Sequence, residues 1–288
     1  MDDGNGGTSV RFPAAVSATP RPQGRREIVD LLARHGLRPR RHLGQHFLAD
    51  PNVVDRIVRL AQLGPAGKAV EIGAGTGTLT RALAATGAAV VAYEIDERLA
   101  PLLAEVLAGT GVDLRIADAA GVNLEEALDG TGWVMVANLP YHLGTPLLLD
   151  VLRDVPKVEK AVVMVQREVA ERLAAGPGSR RYGLPSVVAG LYSEVEMGFT
   201  VGRAVFVPPP DVESAVVVVR RRVASPLAGR AEVLAQAAFG QRRKMLRSSL
   251  AAAVADPEAL VEAAGLDPTA RAETLSVDDY LRLAESVP

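Results

Sequence analysis

The chain has 288 residues, of which 48% are hydrophobic and 23% are charged, and it contains no cysteine. This composition predicts a globular protein with one large domain and a smaller one, and it excludes disulfides and thiolate metal sites. The net charge of −2 argues against a generic nucleic-acid binder. However, residues 1–48 carry eight Arg against four acids, residues 239–250 carry four basic residues and no acid, and residues 251–288 carry eight acids against two Arg. Local basic surfaces are therefore expected in a chain that is acidic overall.

The N-terminal residues 1–24 are rich in small residues and proline, and we expect a disordered tail there. They lack the continuous apolar segment of a signal peptide. No apolar run in the chain approaches the roughly 20 residues that span a bilayer, so a soluble, cytoplasmic protein is expected. His42 and His46 are four residues apart, but no HExxH pattern accompanies them, so no metal site is expected.

From about Lys68 onward, strand-like apolar runs alternate with helical patterns, which predicts an α/β fold with a parallel sheet. Asp50-Pro51 is typical of an N-cap followed by proline, and it predicts a helix before the first of these strands. A boundary is expected near Arg220 to Arg222. We therefore expect a larger domain over residues 25–222 and a small helical domain over residues 223–288. The predicted strands are residues 68–72, 89–94, 112–117, 133–137 and 158–165.

A glycine-rich loop, with Gly73 and Gly75, follows the first of these strands and opens a helix, which predicts close approach of the backbone to a nucleotide-like cofactor. The dinucleotide pattern GxGxxG is not met, because Thr78 or Thr80 stands where its last glycine would be. Glu71, two residues before the first glycine, instead resembles the methyltransferase version of this loop.

Two further carboxylates end the next two strands. Glu94 is well placed to accept hydrogen bonds from ribose hydroxyls, and Asp118 could accept from the adenine amine of the cofactor. The alternative is that both are solvated acids at strand ends. Asp96 is better explained as the N-cap of the following helix.

The tetrapeptide Asn138-Leu139-Pro140-Tyr141 follows the fourth strand, beside the glycine loop. The amine of adenine is a weak nucleophile, and two acceptors can hold it as it pyramidalises. The side-chain oxygen of Asn138 and a backbone carbonyl, expected at Leu139, can supply them. Pro140 would stiffen the turn, and Tyr141 would offer a ring on which a base stacks. The alternative is a strand-end turn with a buried tyrosine.

With these motifs in order, the sequence resembles the KsgA/RsmA family of small-subunit rRNA adenine dimethyltransferases from about Arg25 to Leu283. Besides the glycine loop, Glu94, Asp118 and the tetrapeptide, the resemblance rests on the segments Leu43–Leu48, Gln166–Arg172, Phe206–Pro210 and Phe239–Arg247.

The resemblance implies a Rossmann-like class I methyltransferase domain that binds S-adenosyl-L-methionine. It implies that Phe206 packs on the opposite side of the target adenine from Tyr141. Two residues depart from the family: His46 and His142 stand where Asn is common. The cofactor contacts implied by the loop and the resemblance are His46, Leu48, Gly73, Gly75, Glu94, Asp118 and Asn138.

The family reaction adds two methyl groups to each of two adjacent adenines in the 3′-terminal hairpin of 16S rRNA, within the 30S subunit. We expect a monomer whose basic residues bind rRNA phosphates, although solvated basic surface is the alternative. The second basic run is expected on a helix, with Met245, Leu246 and Leu250 turned inward. The expected RNA contacts are Arg38, Arg40, Arg41, Arg242, Arg243, Lys244 and Arg247.

Three alternatives remain at this point. A large-subunit rRNA methyltransferase of the macrolide-resistance type would perform the same chemistry on one adenine. A ribosome-assembly factor could keep the fold without catalysis, although the intact glycine loop argues against that. A small-molecule methyltransferase would leave the basic C-terminal run unexplained.

Overall fold

The computed structural model describes residues 8–13, 21–141 and 143–287. The strands are β1 (Thr8–Arg11), β2 (Phe47–Leu48), β3 (Lys68–Ile72), β4 (Ala89–Glu94), β5 (Asp113–Ile116), β6 (Trp133–Asn138), β7 (Val158–Gln166), β8 (Ser193–Val201), β9 (Phe206–Val207) and β10 (Ser214–Arg221). The helices are α1 (Arg25–Arg34), α2 (Pro51–Ala61), α3 (Thr78–Ala84), α4 (Ala100–Leu107), α5 (Leu124–Ala127), α6 (Gly144–Asp154), α7 (Arg167–Leu173), α8 (Leu184–Tyr192), α9 (Ala228–Gly240), α10 (Leu246–Ser249), α11 (Pro257–Ala263) and α12 (Val277–Glu285).

Eight strands form one sheet in the order β1-β5-β4-β3-β6-β7-β10-β8. The pairs β5/β4, β4/β3, β3/β6 and β6/β7 are parallel. This confirms the α/β fold and all five predicted strands, with ends that differ by at most one residue. The apolar runs located these strands because a parallel sheet is covered on both faces. The carboxyl ends of β3, β4, β5 and β6 therefore lie along one edge of the sheet.

The sheet continues into the N-terminal segment that the sequence analysis assigned to a disordered tail. β1 pairs antiparallel with β5, and Ser9 Oγ donates a hydrogen bond to Asp113 Oδ1 at 2.9 Å. The expectation of disorder is wrong for residues 8–11, because the open edge of β5 supplies backbone partners that composition does not reveal. Residues 1–7 and 14–20 of this tail lie outside the described residues.

Helix α2 begins as its sequence predicts. The Asp50 side chain accepts from the backbone N–H groups of Asn52 and Val53, and Pro51 occupies the first helical position. The apolar face of the helix, including Val54 and Ile57, is buried in the hydrophobic core.

A separate two-stranded sheet joins β2 and β9. Phe47 lies opposite Val207 and Leu48 lies opposite Phe206, in antiparallel register. The N–H of Ala49 extends the pairing by donating to the carbonyl of Val205 at 2.7 Å. This short sheet fixes the backbone of residues 47–49.

The chain divides into two compact units, Met1–Ala170 with Met197–Val219 and Glu171–Glu196 with Arg220–Pro288. The expected boundary after residue 222 is close to the start of the second segment of the helical unit. Residues 171–196, which the sequence analysis included in the larger domain, cluster instead with the helical unit. Tyr182 shows why, since its hydroxyl donates to the carbonyl of Leu275 and its ring meets the edge of Phe239 at 6.2 Å.

Of the second basic run, only Arg247 lies on a helix, α10, whereas Arg242, Arg243 and Lys244 do not, contrary to expectation. Residues 241–244 form a turn after α9, and Met245 makes an isolated β-bridge with Arg271 before α10 begins. Leu246 and Leu250 are buried as predicted, but Met245 is 39% exposed. The inward orientation of Met245 was predicted from helical spacing. The backbone at Met245 is extended, so that spacing does not apply there.

Among the residues that the structure describes, none of the helices is both long and apolar enough to cross a membrane.

Candidate active site

The glycine loop links β3 to α3 at the carboxyl edge of the sheet. Gly73, Gly75 and Gly77 all have positive φ, a conformation that side chains other than glycine disfavour. A Cβ atom on Gly75 would lie 3.1 Å from Cδ1 of Phe47, and one on Gly77 would lie 2.9 Å from Cγ1 of Val106. Both glycines are therefore required by close packing, and the loop forms one wall of an open cleft of about 650 Å³.

Glu94 lies at the end of β4 and faces the loop. Its Oε2 accepts from the N–H of Gly75 at 2.7 Å, and its Oε1 accepts from the N–H of Asp96 at 2.9 Å. Burial raises the pKa of the carboxyl group, while these two backbone bonds act in the opposite direction. Because each carboxylate oxygen accepts more than one hydrogen bond, the fixed Glu94 retains acceptor capacity toward a ligand diol.

Asp118 comes just after β5, the next strand along this edge of the sheet. It lines a second, mainly apolar pocket of about 630 Å³ beside the cleft. This pocket shares Gly73, Ile95 and Pro140 with the cleft, so the two are neighbours along the sheet edge. Asp118 Oδ1 accepts from the N–H of Ala120, and the residue is exposed. An apolar pocket with one carboxylate at its rim fits a planar heterocycle that carries an amine.

Glu71 is a buried carboxyl group in the wall of the cleft. Burial raises the pKa of Glu71 to about 8, with a further contribution from the nearby Glu94. Its Oε2 has no hydrogen-bond partner in the structure. Glu71 is therefore a buried wall residue whose carboxyl group favours the protonated form near neutral pH.

Asn138 stands at the end of β6, and its amide orientation is fixed by one contact. Nδ2 donates to the backbone carbonyl of His46 at 3.0 Å. A carbonyl can only accept, so the nitrogen must face His46 and the oxygen must face away from it. Asn138 also lines the cleft that Glu94 lines. This side-chain oxygen is the acceptor predicted from the sequence, and the carbonyl of His46 is the group that orients it.

The turn after Asn138 determines which backbone carbonyls already accept hydrogen bonds from the protein. The carbonyl of Pro140 accepts from the N–H groups of Leu143 and Gly144 at 3.1 and 2.8 Å, at the start of α6. The N–H of Leu139 donates to the carbonyl of Met164 on β7 at 3.1 Å. The turn is thus anchored on both sides. His142, the second departure from the family, lies outside the described residues.

Tyr141 is held by two side chains. Its hydroxyl lies 2.7 Å from Oγ of Ser214, and its ring stacks on that of His46, with centroids 5.6 Å apart and planes 22° from parallel. His46 Nδ1 donates to the carbonyl of Pro208 at 2.8 Å, which fixes the orientation of the imidazole ring. The substitution of His for the family's usual Asn therefore adds an aromatic contact to Tyr141.

Phe206 does not take the position expected for it. The ring is 0% exposed and belongs to the hydrophobic core, and its backbone is paired with Leu48 in β9. A base needs an exposed ring face on which to stack, so the expectation that Phe206 sandwiches the target adenine is wrong for this structure. The Phe-x-Pro pattern could equally have indicated a buried ring.

The structure brings the other predicted cofactor residues together and adds some that the sequence analysis missed. His46, Leu48, Gly73, Gly75, Glu94 and Asn138 line one cleft, and Asp118 lines the adjoining pocket. The predicted N-cap role of Asp96 is confirmed, since it accepts from the N–H of Arg98. The contacts that Gln45, Asp96 and Ser214 make with site residues were not predicted, because they join positions far apart in the chain.

The predicted RNA contacts fall into two groups. Arg38, Arg41, Arg243 and Lys244 are exposed. Arg242 forms an ion pair with Glu273 at 2.7 Å, and Arg247 lies 3.7 Å from Glu258. Arg40 is 3.8 Å from Asp96. The ion pairs reduce the charge that these three arginines can offer to a ligand.

A model of the ribosomal RNA adenine dimethylase family matches residues 36–287. The chain is 45% identical over 272 residues to ribosomal RNA small subunit methyltransferase A of Thermobifida fusca, covering 90% of this chain and 93% of that protein.

Two solved structures have similar folds. A dimethyladenosine transferase from Plasmodium falciparum has a TM-score of 0.71 at 24% identity, covering 83% of this chain and 96% of that one. The 23S rRNA methyltransferase ErmE has a TM-score of 0.66 at 28% identity, covering 83% of this chain and 98% of that one. The glycine loop, the strand-end acids and the tetrapeptide thus occur in a chain that belongs to the ribosomal RNA adenine dimethylase family.

Proposed function

We propose that the protein uses S-adenosyl-L-methionine to dimethylate the N6 amines of two adjacent adenines in the 3′-terminal hairpin of small-subunit rRNA. The observation that carries this proposal is the amide of Asn138. The carbonyl of His46 turns its nitrogen away, which leaves its oxygen for an adenine amine in the cleft that also contains Glu94. Membership of the rRNA adenine dimethylase family supports the same chemistry.

The residues of the cleft fit the cofactor. Glu94 keeps acceptor capacity for the ribose hydroxyls, and Asp118 stands at the rim of an apolar pocket that suits adenine. Gly73 and Gly75 let the backbone approach closely, and His46 and Leu48 close the opposite side. When bound, the cofactor supplies an activated methyl group.

The chain's own residues hold the target amine. Asn138 Oδ1 accepts from one N–H of the amine, and the carbonyl of Leu139 accepts from the other. The carbonyl of Pro140 is unsuitable because two N–H groups of α6 already occupy it. These acceptors become stronger partners as the nitrogen pyramidalises, so they act mainly in the transition state. The proton is released to water after transfer.

Tyr141 supplies the ring on which the extruded base stacks. Taking a base out of its stack costs about a few kcal/mol, and stacking on an aromatic ring returns about 1–3 kcal/mol. His46 and Ser214 hold the ring of Tyr141 in place before the base arrives. Pre-organisation of this kind lowers the entropy lost when the base binds.

The RNA is bound electrostatically. The exposed residues Arg38, Arg41, Arg243 and Lys244 carry this proposal most directly. Arg40, Arg242 and Arg247 contribute less, because each lies near a carboxylate of the protein. The substrate proposed is 16S rRNA within the 30S subunit, and the enzyme is a cytoplasmic monomer.

The large-subunit alternative has one observation in its favour, the similarity to ErmE. The higher identity to small-subunit methyltransferases argues for the main proposal. Labelled S-adenosyl-L-methionine, incubated with undermethylated 30S and with 50S particles, separates the two. Incorporation into 30S particles only is expected. Incorporation into 50S particles would support the alternative, and incorporation into neither would indicate a non-catalytic factor.

A further inference from the structure

We propose that Gln45 and Asp96 form a latch that holds the segment of residues 43–48, here called the roof segment, over the cofactor cleft. All six residues of the roof segment line the cleft. Its C-terminal half is fixed by the pairing of β2 with β9. Its N-terminal half is outside that pairing and is tied to the end of β4 by a side-chain contact, in which Gln45 Nε2 donates to Asp96 Oδ2 at 2.9 Å.

Asp96 is built as an anchor. Its side chain is 1% exposed, and it accepts from Nε and Nη2 of Arg98 at 2.9 and 2.6 Å as well as from Gln45. Burial alone would raise the pKa of Asp96, but the bonds from Arg98 and Gln45 hold it below its ordinary value. The backbone N–H of Asp96 also donates to Glu94 Oε1. One residue therefore positions both the roof segment and the carboxylate proposed to bind ribose.

Gln45 is bound at both ends of its amide. Its Oε1 accepts from the backbone N–H of Arg40 at 2.8 Å, while Nε2 contacts Asp96. The N–H of Gln45 in turn donates to the carbonyl of Arg40 at 3.3 Å. Residues 40–45 thus form a closed turn, and this turn reaches the sheet edge through one buried carboxylate. Breaking that contact frees the N-terminal half of the roof segment.

The latch is expected to act on cofactor retention. The roof segment lines the cleft and would contact a bound cofactor, so loss of the latch should increase the dissociation rate more than it lowers the association rate. Gln45 and Asp96 are positioning residues in this account. It rests on the proposed function, because it assumes that the cofactor occupies the cleft that Glu94 lines.

The test is calorimetric and stopped-flow binding of S-adenosyl-L-methionine to the full chain. Gln45→Glu places two carboxylates in contact, and Gln45→Met keeps the length of the side chain but removes the hydrogen bond to Asp96. We expect Gln45→Glu to raise Kd about tenfold or more through faster dissociation. Gln45→Met should raise Kd less than Gln45→Glu, and also through faster dissociation. Gln241→Glu, the same change at an exposed turn, should change nothing.

Three results would overturn the latch. These are an unchanged Kd in Gln45→Glu, a rise in Kd that comes from slower association alone, and a loss of binding matched by a fall in melting temperature. Glu94→Ala distinguishes failure of the latch proposal from failure of the proposed cofactor site. If Glu94→Ala binds the cofactor normally, the cleft assignment and the latch both fall. If Glu94→Ala loses binding and Gln45→Glu does not, only the latch falls.

Discussion

Replacement of Asn138 by Ala tests the arrangement of the target amine. The substitution removes one acceptor from the amine and leaves the carbonyl of His46 without its Nδ2 donor. A hydrogen bond that gains charge in the transition state contributes about 1.5–3 kcal/mol, and about 1.4 kcal/mol corresponds to a tenfold change in rate. We therefore expect kcat to fall between about tenfold and about a hundredfold.

The assay is single-turnover transfer of labelled methyl to 30S particles, with the Kd of S-adenosyl-L-methionine measured in parallel. Glu94 and the glycine loop are untouched, so Kd should change less than about threefold. Asn52→Ala is the matched control, because it makes the same chemical change at an exposed position of α2. A variant at position 138 with near-normal turnover, or with a loss explained entirely by weaker cofactor binding, would refute the role assigned to the amide.

Three further predictions follow from the site. Glu71 stays protonated in the folded chain up to a pKa of about 8 but ionises near 4.5 when unfolded, so stability should fall as pH rises between these values. Relative to the melting temperature of the parent, that of Glu71→Gln should be higher at pH 8 than at pH 5. An equal pH dependence of the two melting temperatures would contradict the effect assigned to the burial of Glu71. Tyr141→Leu should lower kcat, and Ser214→Ala should lower it less, with no added loss in the double variant; an additive loss would mean that Ser214 acts elsewhere. Replacement of Arg243 and Lys244 by Ala should reduce the slope of log affinity for rRNA against log salt by about two, and an unchanged slope would remove them from the interface.

The sequence located the sheet and the cofactor cleft because local patterns encode both. The strands β3 to β7 are apolar runs bounded by turns, and the parallel sheet brings the residues after them to one edge. Gly75 and Glu94 follow the strands β3 and β4, so their proximity was predictable from topology. Their hydrogen bond at 2.7 Å is the detail that only the structure supplies.

The wrong predictions concern residues whose structure depends on contacts with distant parts of the chain. Phe206 could stack on a base or enter the core, and its pairing with Leu48, far away in the chain, placed it in the core. The turn at residues 241–244 depends on the bridge between Met245 and Arg271, which helical periodicity does not reveal. Strand β1 depends on the unpaired edge of β5, not on the composition of the tail.

The central claim is that this cleft methylates two adjacent adenines of small-subunit rRNA. The most direct measurement is transfer of labelled methyl from S-adenosyl-L-methionine to undermethylated 30S particles, followed by primer extension across the 3′ end of the rRNA. We expect four methyl groups per particle, with reverse transcriptase arrested at two neighbouring adenines, and a much slower incorporation by Asn138→Ala. Label on 23S rRNA, label at a single adenine, or no label at all would contradict it.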